Sequence, residues 1–437
     1  MKGIKQISIV SMLTIVLLLS ANARALNSWQ APFDTTATNS GSVDSLLSLD
    51  DALNLVATEN PMLRSLNYQL KAADGGLKQA GLWPNPELEA EFEEVGWDSP
   101  GFKQSGFIVS VAQEFEFFGQ RGARRNVAKS EIDAAKLQVK QSAFDLYLET
   151  KQRFYTLAHA QQKVNLFQAS VELAREIVES INHRLDRGAA PQSELLLARL
   201  EKQRALLALD QARQDVIALE AILVSLWKGK PSGVKVSTEA EPDFTDLLDR
   251  ITLLSSQADS TRDIIRMQND LETLRAEKVL AIAEARPAVT LHGGFKRFEA
   301  DNSKSFLFGV SLPIPLFNRN QGTRQSIDAQ LRSLEYDIEQ GRIEAISNIE
   351  SHNIRLKNLV DRHVTLDSLI LPTAEEAYRI LQNAYEAGRV PYTQLLEAER
   401  ALNELSFEHN DMLLAIQEQI IALESLTGVM LRVEKEN

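Results

Sequence analysis

Cysteine is absent from all 437 residues. That excludes disulfides, thiolate metal ligands and a lipid carried on an N-terminal cysteine. Histidine is scarce, at 6, and shows no HExxH or similar ligand spacing; methionine, also 6, offers few soft ligands. His352 and His363 are 363 − 352 = 11 apart and could share a helix face. With no carboxylate pattern beside them they read as surface residues. Lys228-Gly-Lys-Pro231 lacks the upstream glycine of a P-loop. Positive charge is also short: the formal net charge of −13 argues against a general nucleic-acid binder. These absences leave no expected catalytic residue, resident metal or cofactor.

Long hydrophobic runs are missing too. The one apolar run, Ile7 to Leu19, is too short to be a transmembrane helix. Preceded by Lys2 and Lys5 and followed by Ala21-Asn-Ala-Arg-Ala25, it reads as a secretory signal peptide over residues 1–25. Residues 26–48, rich in Ser, Thr and Asn up to Asp44, read as a flexible leader.

Proline and glycine are thinly spread, and where they cluster they punctuate a repeat. Arg187-Gly-Ala-Ala-Pro-Gln-Ser-Glu-Leu-Leu-Leu-Ala198 returns as Ala387-Gly-Arg-Val-Pro-Tyr-Thr-Gln-Leu-Leu-Glu-Ala398. Gly188 and Gly388 are 388 − 188 = 200 residues apart, as are Pro191 and Pro391. A glycine closing one helix and a proline opening the next mark the tip of a helical hairpin. Leu223-Val-Ser-Leu226 and Leu423-Glu-Ser-Leu426 keep the same offset, so the chain reads as an internal duplication. The expected layout is repeat one over 49–228, a linker over 229–258, repeat two over 259–428 and a tail over 429–437.

Within each repeat the pattern changes period. Ser48-Leu-Asp-Asp51 predicts a capped helix, Pro61 opens a second, and Trp83-Pro-Asn-Pro86 ends it. Leu88, Ala90 and Phe92 then alternate with Glu87, Glu89, Glu91 and Glu93. After a turn over Gly96 to Gly101, Phe107, Val109, Val111, Phe115 and Phe117 alternate with Ser110, Ala112, Glu114 and Glu116. Repeat two offers Val289, Leu291 and Phe295 against Thr290, His292 and Lys296. A further strand sets Phe306, Phe308, Val310, Leu312 and Ile314 against Gly309 and Ser311. These are four two-faced strands of about 9–11 residues. From Gln120 to Asp186 there is no proline and only Gly122, which predicts a helix on the order of 100 Å long. Its apolar residues step 4-3-4-3 from Ala160 through Val164, Phe167, Val171 and onward, a coiled-coil spacing that the return helix shares. A second long helix starts near Gln321 and is interrupted at Leu371-Pro372.

Strands of that length cross a bilayer when tilted, but four leave open edges that lipid does not tolerate. Two copies would give eight strands with a filled interior; three would give twelve around a lumen. The alternative is a soluble sheet packed on coiled coils.

The doubled helix-strand-strand-helix unit with glycine tips resembles the TolC-type outer-membrane factors over about residues 49–428. Trp83-Pro-Asn-Pro86, Gln113-Glu-Phe-Glu-Phe-Phe-Gly-Gln-Arg-Gly-Ala-Arg-Arg125 and Leu312-Pro-Ile-Pro-Leu-Phe-Asn318 are similar to the heavy-metal branch of the CzcC/CusC type. The resemblance implies a mixed α and β fold in a homotrimer. Each chain would give four strands to a shared twelve-stranded transmembrane β-barrel, and long coiled-coil helices would form a periplasmic α-barrel. It further implies an outer-membrane location without lipidation, docking to a periplasmic membrane-fusion adaptor and an inner-membrane RND pump, and heavy-metal cations as cargo. Drug efflux or type I secretion is the alternative within the fold. A periplasmic coiled-coil adaptor, which would carry one hairpin rather than two, is the alternative outside it, and an exported hydrolase would need its glutamates gathered in a pocket.

By the same resemblance, Glu194, Glu397, Gln394 and Tyr385 match periplasmic gate positions, with Gln394 departing from the acid expected there. The tip residues Arg187, Gly188, Ala189, Ala190, Gly388, Arg389 and Val390 are the candidates for adaptor contact. Glu87, Glu89, Glu91, Glu93, Glu114 and Glu116 fall on polar strand faces and would line the lumen with a cation-favouring field.

Overall fold

The computed structural model describes residues 46–95, 105–231, 233–237, 248, 251, 259 and 261–431. The expected signal peptide, most of the leader, the Gly96–Gly101 turn, much of the linker and residues 432–437 of the tail lie outside them. The fold is mostly helical with one small sheet. In chain order it runs α1 (Leu49–Glu59), α2 (Pro61–Ala80), β1 (Glu87–Glu93), β2 (Gly106–Phe115), α3 (Gln120–Asp186) and α4 (Gln192–Val224). It continues with α5 (Arg262–Glu284), β3 (Val289–Phe298), β4 (Lys304–Ser311), α6 (Gln321–Thr365), α7 (Leu371–Glu386) and α8 (Tyr392–Thr427). Two compact units interleave along the chain: one takes the described residues through Arg64, Gln141–Arg262 and those from Glu344 on, the other Ser65–Lys140 and Asp263–Ile343.

The second unit holds the sheet, antiparallel throughout, in the order β1-β2-β3-β4. Directly opposed residues share a face, so the register sorts the side chains. Glu87, Glu89, Glu91 and Glu93 stand beside Ala112, Ser110, Ile108 and Gly106 of β2, and these beside His292, Gly294, Lys296 and Phe298 of β3. The other face collects Leu88, Ala90 and Phe92, then Val111, Val109 and Phe107, then Phe295 and Leu291, then Phe306 and Val310 of β4. The inner strands β2 and β3 have the expected length, 10 residues each, but β1 has 7 and β4 has 8. Proline is the reason: Pro84 and Pro86 precede β1, and Pro313 and Pro315 follow β4, where a missing N–H cannot extend the ladder. Leu312 and Ile314 therefore fall beyond the paired residues, and Phe117 lies past the end of β2 at Phe115.

In the first unit α1 starts as its capping box dictates. Ser48 Oγ accepts from the Asp51 N–H at 3.1 Å and the Asp51 carboxylate accepts from the Ser48 N–H at 3.3 Å. Residues at the expected domain seams are also tied down. Leu47 bridges Val236, Glu220 accepts the N–H groups of Gly233 and Val234, and Ile251 and Leu431 are buried in one cluster with Ile349, Leu356 and Ile420. The expected interruption at Pro372 takes the form of a π-turn over Leu366–Ile370, in which the Leu371 N–H reaches back to the Leu366 carbonyl. The widened turn makes room for a ring that would otherwise meet the carbonyl four residues earlier.

Lys151 of α3 and Glu424 of α8 form an ion pair at 2.8 Å whose side chains are 5% and 0% exposed. Glu424 also accepts the Leu431 N–H at 2.6 Å. Burial raises the Glu424 pKa and the Lys151 ammonium opposes that rise. Removing one partner of such a pair strands the other charge in the core. Lys151→Met should therefore lower unfolding stability by about 3–5 kcal/mol, while Lys151→Met with Glu424→Leu should recover most of the loss. Denaturant or thermal unfolding of the two variants measures this.

Candidate functional site

Both helical hairpins of the first unit reverse in the same way. Gly188 sits at φ +71° and Gly388 at φ +72°, the left-handed region that a side chain resists. The Gly188 N–H donates to Leu185 O at 2.9 Å and the Ala189 N–H to Arg184 O at 2.7 Å. The Gly388 N–H donates to Tyr385 O and the Arg389 N–H to Ala384 O, both at 2.9 Å. This is the Schellman pattern, which satisfies the last carbonyls of α3 and α7. Extended Pro191 and Pro391 then open α4 and α8. No atom lies within 4 Å of where a Cβ would sit at Gly188, so glycine is required there by backbone conformation and not by crowding.

Beneath the turns the four helices share one core. Ile177, Val178 and Ile181 of α3, Leu195 and Ala198 of α4, Tyr378 and Tyr385 of α7, and Tyr392 and Leu395 of α8 are buried together. Polar groups thread it. The Tyr385 hydroxyl donates to Glu194 Oε2 at 3.1 Å. The Arg184 guanidinium lies 4.3 Å from the Tyr385 ring centroid, donates to the Tyr385 carbonyl, and donates to Ala189 O at 3.2 Å. About two turns further along α4, Glu201 accepts from Arg400 and, at 3.1 Å, from Arg204. Burial, with help from the Glu194 carboxylate, pushes the Tyr385 hydroxyl up to about 12.

Glu399 is the anomalous member. It is 5% exposed, and among the described residues its Oε2 has no hydrogen-bond partner. Burial first and the Glu201 carboxylate second raise its pKa to about 7, against the pull of Arg400.

Of the expected gate residues, Glu194 and Tyr385 are brought together. Gln394 and Glu397 stand exposed on the first turns of α8. Among the expected tip residues Arg187, Gly188, Ala189, Gly388 and Arg389 are exposed, and Val390 is half-buried against the core. Ala190 does not belong with them: it is 8% exposed and packed into the cluster, because the chain must fold inward over the helix ends to reach Pro191. Sequence reasoning missed Arg184, Tyr378, Tyr392, Glu201, Glu399 and Arg400. The signal available was the offset itself, since Tyr378, Tyr385 and Tyr392 stand 200 residues after Val178, Leu185 and Gln192 (378 − 178, 385 − 185, 392 − 192).

The acids of the sheet also divide. Glu87, Glu89, Glu91 and Glu114 are exposed on the hydrophilic face. Glu93 is ion-paired by Lys296, which reaches it over Gly106, where a Cβ would stand 3.4 Å from the lysine Cε. Glu116 is not on a strand at all: it follows β2 and is held in a fork by Arg124, with one bond at 2.8 Å. The expected surface histidines are likewise corrected. His363 is 2% exposed with its ring centroid 4.9 Å from that of His409, and half-buried His352 lies 2.9 Å from Gln419 Oε1, because the seam between α6 and α8 covers both. No cluster of three or more His, Asp or Glu able to hold a metal ion is present among the described residues, and none of their helices is long and apolar enough to cross a membrane.

Glu399 makes the tip core pH-sensitive. Below about pH 4.5 the carboxyl is neutral folded or unfolded. From there to about pH 7 the unfolded chain ionises while the folded one keeps its proton, so stability falls across that window. Glu399→Gln should match the parent near pH 4 and exceed it by up to about 3 kcal/mol at pH 8. Thermal unfolding of both proteins across that range checks the sign.

Comparison with known proteins fits this geometry. Over 361 residues the chain is 26% identical to the cobalt-zinc-cadmium resistance protein CzcC of Cupriavidus metallidurans, covering 82% of this chain and 84% of that one. It is 25% identical over 296 residues to the nickel-cobalt-cadmium resistance protein NccC of Alcaligenes xylosoxydans xylosoxydans, covering 64% of this chain and 62% of that one. A crystal structure of CusC, a transmembrane channel, superposes with a TM-score of 0.72 at 16% identity, over 90% of this chain and 95% of that chain, and shows the fold. Residues 52–227 and 253–429 both match the outer membrane efflux protein family, and the chain belongs to that family.

Proposed function

We propose that three copies of this chain form a passive exit duct from periplasm to exterior, the outer-membrane channel of a tripartite RND-type efflux system with heavy-metal cations as cargo. The observation that carries the reading is the sheet. Its apolar face is exposed, with Phe308 at 87%, Phe306 at 75% and Leu88 at 74%, its other face is hydrophilic, and β1 and β4 are edges. Three such sheets joined edge to edge give twelve strands, enough for a water-filled lumen. Glu87, Glu89, Glu91 and Glu114 would give that lumen a cation-favouring field, while Glu93 and Glu116 are neutralised by their partners. The layout is two repeats, 49–228 and 259–428, behind a signal peptide over 1–25. The helices stand in the periplasm and the barrel alone holds the protein in the membrane.

In this arrangement the hairpin tips face the adaptor, and Arg187, Ala189 and Arg389 are the side chains that a docking partner meets. Glu194 and Tyr385, with Arg184, hold the two hairpins of one chain together, and Glu397 and Gln394 face out from α8 toward a constriction. The cargo assignment draws support from the resistance proteins to which the chain is similar.

Two measurements test the reading. Unboiled electrophoresis of outer-membrane fractions should show a heat-resistant trimer, and deletion of the gene should lower tolerance to cobalt, zinc or cadmium. A mature protein that is a soluble monomer without detergent would overturn the channel. Unchanged metal tolerance with lost drug tolerance would overturn the cargo alone.

A further inference from the structure

We propose that Glu399, Arg400 and Glu201 form a second latch between the two hairpins of the chain, separate from the Glu194–Tyr385 contact and shut while the Glu399 carboxyl carries its proton. The inference rests on the tips being the periplasmic entrance of the duct. Tyr392, Leu395, Glu399 and Leu402 step 3-4-3 along α8, the seam spacing of a coiled coil, so Glu399 fills a slot that an apolar side chain normally takes. Its neighbours on that stripe are packed in the shared core, Tyr392 and Leu395 buried and Leu402 half-buried against them. The residue 399 − 199 = 200 positions earlier is Arg199, which is exposed on α4. The buried acid thus belongs to the second hairpin alone.

Glu399 Oε2 and the Tyr378 hydroxyl both lack a hydrogen-bond partner among the described residues, and both residues are more than nine-tenths buried. A core seldom leaves such groups unpaired, so they point to a role other than packing. Two charges act directly on Glu399. Glu201 of α4 repels an ionised carboxylate there, while Arg400, next in sequence, attracts it. Arg400 is engaged elsewhere, since it donates to Glu201 and so ties α8 to α4. Arg204 donates to the same Glu201, and Arg184 of α3 is committed to the carbonyls of Tyr385 and Ala189.

The hydroxyls of Tyr378 on α7 and Tyr392 on α8 lie in the field of Glu399, and Glu176 of α3 and Glu386 of α7 also act on Tyr378. Burial first, and the Glu399 carboxylate second, holds both phenols above the ordinary tyrosine range, so they stay neutral and supply no compensating charge. One arginine therefore serves two carboxylates. While Glu399 is neutral, Arg400 holds the second hairpin to Glu201 of the first. Once Glu399 ionises, it must draw Arg400 from that bridge or leave the core, and either move frees one hairpin from the other. The closed junction binds the proton more tightly than the open one, so opening follows rising pH.

The chain's lack of cysteine makes the test direct. Spin labels at Ala189→Cys and Arg389→Cys, one on each tip, report the separation of the hairpins by pulsed resonance when a labelled chain is diluted among unlabelled ones. The ratio of wide to narrow separations should rise about tenfold from pH 6 to pH 8, as expected for a carboxyl at about 7 in the closed core and at its ordinary value when released. Glu399→Gln, which mimics the protonated acid, should hold the narrow separation at both. Glu201→Gln removes the like charge and frees Arg400 for Glu399, so its rise should be complete at lower pH. A parent ratio that does not change, a Glu399→Gln ratio that rises like the parent's, or an unshifted Glu201→Gln profile overturns the latch. Conductance of the same proteins in planar bilayers tests the duct separately. A separation that follows pH with no change in conductance overturns the entrance assignment and leaves the latch standing; proteins that give no channels at any pH overturn the duct.

Discussion

Unpaired backbone groups on the two edges of a four-stranded sheet constrain everything else in this protein. Every N–H and C=O on the outer side of β1 and β4 needs a partner, and hydrocarbon supplies none. The most exposed apolar side chains of the sheet sit on those same strands: Leu88 and Phe92 on β1, Phe306, Phe308 and Val310 on β4. Edge and exposure have one cause, the missing neighbour. A sheet with such edges and such a face is unfinished in water, where it would recruit other chains indiscriminately. In the proposed trimer, ring closure by copies of the chain would satisfy both demands at once, and membrane insertion would then turn the apolar face from a liability into a stabilising contact.

In the unit that holds the hairpin tips the balance of forces differs. Schellman turns at Gly188 and Gly388 satisfy the backbone locally, so the core beneath them is free to carry polar side chains. It carries an unusual one in Glu399, which sits among tyrosines and beside a like charge on Glu201. An alanine or leucine there would make a more stable four-helix junction. An ionisable group in a place where its burial opposes ionisation is poorly explained by stability alone.

Much of this was legible in the sequence because period and punctuation carry it. The change from 3.5-residue to two-residue spacing located all four strands, and the Gly-x-x-Pro pairs located both tips. Proline trimmed β1 and β4 in a way that alternation alone did not show, since Leu312 and Ile314 keep the rhythm after the pairing has stopped. Long-range polar partners were not legible. Lys296 reaching Glu93 over Gly106, and Arg124 holding Glu116, depend on register and on the start of α3, which fix distances that spacing does not encode. Ala190 was misplaced for a related reason: a tip is exposed on average, but the residue before its proline turns inward. The histidines were misread because a heptad seam hides polar residues as readily as apolar ones when they stack or find an amide partner.

The two hairpins share their turns and differ in their chemistry, and that bears on how the proposed constriction would work. Offsets of 200 hold for the glycines and prolines, yet Tyr378, Tyr385 and Tyr392 stand where the first hairpin has Val178, Leu185 and Gln192, and Gln394 stands where it has Glu194. Within one chain the consequence is already visible: the hydroxyl of the second hairpin's Tyr385 bonds the carboxylate of the first hairpin's Glu194, so each hairpin supplies what the other lacks. In a trimer the six tips would alternate between two kinds, with threefold and not sixfold symmetry. On the proposed reading, such a ring would loosen by moving one kind of hairpin while the other holds the wall, because the contact to be broken lies between unlike partners. A perfectly repeated tip would place like groups opposite each other everywhere and would offer no such division of roles.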